Sequence, residues 1–342
     1  MKKVNIEDIA QMAGVSKGTV SGVINAKPSI KPATRERILK IMKEYNYRPK
    51  GMARYLKKDY DNKTIGIIIK DLNYTFYTAI ATGVKEYANS KGYAVLMASS
   101  ENSHENEQRM SNIFSSKDVK GTIIAPIVEG ASEIEHLFKL KLLNYPFVLL
   151  EDVQGINANV VAIDNARAIK KAVKYLIDGG HAKIIHFAGP ISSTHTHERI
   201  EAFRDAFSER DVAFKKEMIF HVGSYYDESF SKTKEYFKGR SPADYPTAIF
   251  CFNDQQAFAV MQALAELNIK VPEDISLIGN DDIDFAKYYP VPLTTIKAPQ
   301  HEIGRRAAEI LIKNIESDEK IEAERFIFEA ELVIRKSSRT LN

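Results

Sequence analysis

Two periodicities divide the chain. Over residues 5–45, apolar side chains recur at three- and four-residue spacing. They run Ile6, Ile9, Ala10 and Ala13, then Val20 with Val23 or Ile24, then Ile38, Leu39, Ile41 and Met42. Such spacing predicts three short amphipathic helices, about 5–13, 17–24 and 32–45. Gly14 breaks the first, Ser16 is a good N-cap for the second, and Pro32 suits the first turn of the third. Three short helices with a glycine turn between the first two is the pattern of a helix-turn-helix.

From residue 64 the pattern changes to short β-branched runs: "TIGIIIK", "AVLMA", "GTIIAP", "FVLL", "KIIHFAG", "TAIFCF" and "ISLIG". Amphipathic segments such as 76–92 and 254–268 lie between them. Alternating buried strands and helices predict parallel sheets covered on both faces. The pattern runs for about 100 residues and restarts near 160. The fold class expected is therefore α/β: a helix-turn-helix head, then two doubly wound subdomains facing each other across a cleft, with ligand groups at strand C-termini. Segment 46–63, "NYRPKGMARYLKKDYDNK", belongs to neither pattern.

Composition adds constraints. A length of 342 residues predicts two to three domains. No apolar run reaches the roughly 18 residues that would span a bilayer. The start "MKKVNIEDIAQ" lacks the apolar stretch of a secretory signal, and a single cysteine, Cys251, suits a reducing compartment. A cytoplasmic location is expected. Residues 1–60 hold 14 basic against 5 acidic side chains, whereas the other 282 hold 34 against 40. A basic head on a mildly acidic body is the footprint of a polyanion partner at one end.

This changes the meaning of Gly18 and Gly22 in the second helix. An interior glycine costs about 0.5–1 kcal/mol relative to alanine. A helix entering a major groove gains from small outward side chains, which let its backbone approach the bases. Lys17, Gly18, Thr19, Ser21 and Gly22 are accordingly expected on the outer face, with Thr19 and Ser21 able to bond phosphates or bases.

"VNIEDIAQMAGVSKGTVSGVIN", "TRERILKIMKEYNYRP", "TIGIIIKDLNYTFY", "VPEDISLIGNDD" and "PLTTI" together resemble the LacI/GalR family of bacterial transcription repressors, from Val4 to about Arg335. The resemblance implies a homodimer that binds double-stranded operator DNA. It implies a head over 1–48, a hinge over 49–62 and an effector-binding core over 63–342. Within the core, subdomain one is expected at about 63–161 and 292–322, and subdomain two at about 162–291 and 323–342. Many relatives carry arginine at the position of Gly22, and commonly a serine cap at that of Lys31. By resemblance, hinge residues Ala53 and Leu56 enter the minor groove, Leu56 as a wedge.

The same resemblance places an effector pocket at Asp71, Phe76, Asn102, Arg199, Tyr225, Asn253 and Asp281. That set suits a sugar or sugar derivative: carboxylates, amides and a planar guanidinium for hydroxyls, with aromatic faces for the ring. His195 and His197 in "SSTHTHERI" stand where relatives often have small or polar residues, and one or both, His195 first, are expected at the pocket mouth. Asn280 replaces an apolar residue before "DD", a further sign of a tailored pocket. Asp254 and Asp282 read as helix caps, and Cys251 as core. Neither a metal nor a cofactor is expected, because no Cys or His cluster with ligand spacing accompanies the two histidines.

Function follows as a ligand-controlled DNA-binding repressor, whose operator affinity the effector shifts by a coupling free energy of about 1–3 kcal/mol or more. Whether the effector induces or co-represses is left open. The alternative is a solute-binding receptor of sugar-binding type without a DNA role, which the basic head opposes. An enzyme is not expected, because neither a G-x-G-x-x-G after the first strand, nor a P-loop, nor a nucleophile elbow is present.

Overall fold

A computed structural model describes residues 4–25, 27, 29–45, 47, 63–127, 134–319 and 322–341. The chain divides into two compact units, Met1–Lys63 and Thr64–Asn342.

In the first unit, α1 (Ile6–Met12), α2 (Lys17–Ile24) and α3 (Pro32–Glu44) follow the predicted pattern. Asn5 caps α1 through a reciprocal box: its Oδ1 accepts from the Glu7 and Asp8 amides, and Asp8 accepts from the Asn5 amide. Gly14 turns the chain at φ +60°, and Ser16 caps α2 by accepting from the Thr19 amide at 3.1 Å. α3 begins at Pro32 behind Lys31, whose side chain makes no cap bond. Ile9, Val20, Val23, Ile38 and Met42 close the small core. Leu39, expected inside, is 50% exposed. A 13-residue helix against two short ones buries only the stripe through Ile38 and Met42.

The second unit holds two six-stranded sheets. The first comprises β1 (Thr64–Ile69), β2 (Ala94–Ser99), β3 (Thr122–Ile124), β4 (Phe147–Leu149), β5 (Asn159–Asp164) and β11 (Arg325–Glu329), in the order β11-β5-β4-β3-β1-β2. The second comprises β6 (Ile184–Ala188), β7 (Ile219–His221), β8 (Ala248–Cys251), β9 (Ser276–Asp281), β10 (Thr294–Lys297) and β12 (Glu331–Val333), in the order β12-β10-β9-β8-β6-β7. All pairs are parallel except β10 with β12.

Helices cover both faces, and side-chain alternation shows which. Ile65, Ile67 and Ile69 of β1 pack on α4 (Thr75–Ser90) and α12 (Gln300–Glu316), while Ile68 faces α5 (His104–Ser116) and α6 (Glu135–Leu142). In the second lobe, Ile249 and Cys251 of β8 face α9 (Tyr226–Phe237), α10 (Asp254–Glu266) and α11 (Phe285–Tyr288). Ala248 and Phe250 face α7 (Asn165–Asp178) and α8 (Thr194–Ser208). α4 and α12 cross at Gly83 and Gly304. A Cβ on either would collide with a backbone carbonyl of the other helix, at His301 or Ile80.

The chain passes between lobes three times: after β5 at Asp164, after β10 at Lys297, and at Ala330 between β11 and β12. These positions correct the expected boundaries of about 161, 292 and 322. β10 pairs with β9, and β11 with β5, so each sheet retains its strand beyond the point where the resemblance placed the change.

Candidate effector cleft and DNA-binding head

The cleft between the two sheets has a volume of about 730 Å³, within the range of small-molecule sites. Asp71, Phe76, Asn102, His195, Arg199, Tyr225, Asn253 and Asp281 all line it. Most stand at or just after the C-terminal end of a parallel strand, where carbonyl-end loops converge. Asp71 lies beyond β1, Asn102 beyond β2, Tyr225 beyond β7 and Asn253 beyond β8, while Asp281 ends β9. His195 and Arg199 sit one turn apart on α8, which follows β6.

Local geometry fixes these groups. Arg199 is buried, its guanidinium 4.2 Å from the Phe252 ring centre and donating to the Phe252 carbonyl. Asp281 has φ +120° and Asn102 φ +53°, left-handed values that side chains disfavour. Asp281 is held by donors on three sides: the Tyr74 hydroxyl and the Asn280 amide (2.8 Å) to its carboxylate, and the Gln300 amide to its carbonyl. Burial pushes the Asp281 carboxyl up to about 6, with Arg199 and the Tyr74 hydroxyl pulling the other way. Several partners thus secure a strained backbone position at this cleft residue.

Both lobes reach across the cleft. Asn102 donates to the Tyr225 hydroxyl at 2.6 Å, and Tyr74 bonds Asp281. Tyr74, Phe76 and Tyr77 form one aromatic wall, with Phe76 and Tyr77 edge to face at 5.2 Å. Burial, with the carboxylates nearby, raises the Tyr74 and Tyr77 hydroxyls well above their usual range, so both are donors.

Several expectations need correction. Asn253, not Asp254, caps α10, its Oδ1 accepting from the Gln256 amide at 2.7 Å. Asp254 is wholly buried, bonded to the Thr295 hydroxyl (2.5 Å) and the Ile283 amide (2.9 Å). Asp282 caps no helix; it pairs with Arg335 at 2.6 Å. Asn280 is buried beside Asp281 rather than lining the cleft. Of the two histidines, one or both of which were expected at the mouth, His195 lines the cleft and His197 is exposed outside it.

The sequence reading passed over Lys70, Tyr74, Tyr77 and Glu151, all cleft residues. The strand-end rule that supports Asn253 and Asp281, a polar residue at the end of an apolar strand, also reaches Lys70 after β1 and Glu151 beyond β4.

On the head, Lys17, Gly18, Thr19 and Ser21 lie at the surface of α2 or partly so, and Lys17 pairs with Glu7 at 2.7 Å. A Cβ on Gly18 would meet only Ser16, at 3.6 Å. Gly22 does not face outward. It is buried under Ile30, whose Cδ1 would lie 3.2 Å from an added Cβ. The loop after α2 folds back, with the Lys27 amide bonding the Gly22 carbonyl, and brings Ile30 over that glycine. Ala53 and Leu56 fall outside the described residues.

Comparison with known proteins joins head and core. The pattern for "Bacterial regulatory proteins, lacI family" matches residues 5–50, and that for "Periplasmic binding protein-like domain" matches residues 173–338. Over 338 residues, covering 98% of this chain and 99% of the relative, the sequence is 33% identical to the HTH-type transcriptional repressor PurR of Vibrio vulnificus (strain CMCP6). The chain belongs to the lacI family. It is a DNA-binding transcription regulator and not an enzyme. Among solved structures, it is similar to the transcriptional regulator CelR in complex with cellobiose (25% identity, TM-score 0.71, 98% of this chain and 99% of that one). It is also similar to a LacI family regulator from Enterococcus faecium with bound ribose (25% identity, TM-score 0.69, 82% of this chain and all of that one). Among the described residues of this lacI-family regulator, no helix is long and apolar enough to cross a membrane.

Proposed function

We propose that this regulator is a cytoplasmic homodimeric repressor whose affinity for operator DNA is set by a sugar-class molecule bound between the two lobes. The observation that carries the reading is the composition of the cleft. Hydroxyl-gripping groups come from both lobes, Asp71 and Asn102 from one, Arg199, Asn253 and Asp281 from the other, with Phe76 and Tyr225 offering ring faces. A polyol bridging them would tie the lobes together, and so couple binding to domain closure. Similar proteins seen with cellobiose and ribose support the same class.

On the head, Lys17, Gly18, Thr19 and Ser21 are proposed to meet the major groove, with Gly22 serving the head's own core. For the homodimer, β2 supplies a surface. It is an edge strand whose Leu96 and Met97 are nearly half exposed, so its open ladder and apolar side chains suit a second copy.

The test is a thermal-shift screen of the full-length protein against sugars, sugar phosphates, uronic acids and nucleobases. A ligand at 100 times its Kd adds about 2.7 kcal/mol of stability. The reading expects a sugar hit that Arg199→Ala or Asp281→Ala abolishes and that changes operator affinity in a mobility-shift assay. A response confined to nucleobases would replace the sugar class. A hit that leaves operator binding unchanged would sever cleft from head.

A further inference from the structure

One charged cluster spans the cleft. Lys70 follows β1 and Glu151 follows β4 in the first lobe, while His195 occupies the first turn of α8 in the second. Glu151 Oε1 accepts from Lys70 Nζ at 2.7 Å, and its Oε2 lies 2.7 Å from His195 Nε2. Lys70 Nζ stands 3.2 Å from the same imidazole nitrogen. Both carboxylate oxygens are thus engaged, one within the lobe and one across the gap. The Lys70 and Glu151 side chains are mostly withdrawn from solvent, so salt screens the contact weakly.

We propose that Glu151, itself anchored by Lys70, is a positioning residue that holds His195 across the cleft, forming a proton-coupled latch that sets how readily the lobes close on an effector. The inference rests on the effector-cleft reading for its consequence, but not for its test.

The division of labour follows from where the groups sit. Lys70 and Glu151 share a lobe, so opening the cleft separates His195 alone and leaves the buried carboxylate with its lysine. No charge is stranded by opening, which keeps the motion cheap. Four other charges lie around His195. Glu198, on its own helix, lies 3.5 Å from Nδ1; Asp281 on β9 adds negative potential, Lys70 opposes it, and Arg199 stands one turn further along the same helix. In the closed arrangement the Glu151 carboxylate prevails, and His195 is held above the usual histidine range despite its burial. Burial alone would raise Glu151, but His195 and Lys70 outweigh it and hold the carboxyl near 2.

The sign is then fixed. A group whose pKa is raised in the closed form favours that form below its open-state pKa. The advantage is lost as pH rises through the closed-state value. Each unit of difference changes the closed-to-open ratio about tenfold. A pair buried within one lobe could not produce this, because closure would leave its surroundings unchanged.

The experiment uses the full-length chain without effector. Leu72→Cys and Ile191→Cys place exposed thiols on opposite lobes beyond β1 and β6, and Cys251 is too buried to take a label. Energy transfer between dyes is followed from pH 5 to 9. Transfer should change with a single titration, the lobes separating as pH rises. His195→Gln should flatten the curve, and Glu151→Gln should flatten it in the open position. Glu198→Gln, a change on an exposed side chain, should move the midpoint to lower pH and so carries the test if Glu151→Gln fails to fold. A pH curve in His195→Gln that follows the parent, or a midpoint unmoved by Glu198→Gln, overturns the latch. A silent sugar screen leaves it standing, and a flat parent curve leaves the sugar reading untouched.

Discussion

The two lobes of the core share one strand order and both have apolar cores, yet what lies beside the cleft differs. In the first lobe, isoleucines from β1 and β3 are fully buried against α4 and α12, whose backbones touch through Gly83 and Gly304. In the second, a polar set runs beneath the cleft. Asp254 bonds Thr295 and the Ile283 amide, and Gln256 links the Phe252 amide to the Gly223 carbonyl. Gly279 leaves the space that the Asp254 carboxylate fills. Apolar close packing is strong and indifferent to pH. A buried polar network specifies one arrangement but makes stability depend on protonation and on every partner being present.

Four experiments sharpen or break that contrast. The largest effect belongs to Gly304→Val. Its side chain meets the Ile80 carbonyl rather than a movable rotamer, so a loss above about 4 kcal/mol or failure to fold is expected. A loss under about 1 kcal/mol in urea unfolding would show that the two helices slide apart easily. In the second lobe, Asp254→Ala leaves the Ile283 amide and Thr295 hydroxyl without their acceptor. It should cost about 3 kcal/mol by the same measurement.

The third prediction concerns pH. Burial pushes the Asp254 carboxyl up to about 8, with Asp281 adding in the same direction. Between about 4 and 8 the folded chain holds a proton that the unfolded chain has released. Stability therefore falls as pH rises through that window and levels off above it. The stability difference between the parent and Asp254→Asn should follow that decline. A difference that is constant from pH 5 to 9 would show that the carboxyl is ionised in the fold. The smallest effect is the control: Ile67→Val, within the first lobe, should cost about 0.5–1.5 kcal/mol at every pH in the same series.

Legibility in the sequence divided along similar lines. Strands buried on both faces announce themselves as continuous apolar runs, and β1, β3, β4, β6, β8 and β9 were visible that way. β7, β11 and β12 were not, because "IFH", "RFIFE" and "ELV" are short or partly exposed edge segments with no run to see. The crossings at 297 and 330 lie beyond the bounds that the resemblance implied, because strand pairing, which no local pattern encodes, decides which sheet β10 and β11 join. The eight pocket residues came from resemblance and strand-end logic, and they share one cleft. The strand-end positions of Lys70 and Glu151 are legible, but their meeting with His195 from the other lobe is not, since Lys70 lies 125 residues from His195 in sequence and no local pattern encodes that contact. Gly22 was misassigned for a similar reason: its neighbour Ile30 reaches it only once the loop has folded back.

The three crossings have a mechanical consequence. They emerge side by side at one edge of each sheet, since β5 pairs with β11 and β10 with β12, and the registers Asp164 to Glu329 and Lys297 to Glu331 bring them to one level. A single connecting strand would let the lobes swivel freely. Three short ones in a row behave as knuckles on a common pin: they resist twist and shear and permit one swing. The lobes therefore have close to one degree of freedom, and every ligand the cleft admits is translated into a position along that single coordinate. Chemically different molecules become comparable to this protein only as angles.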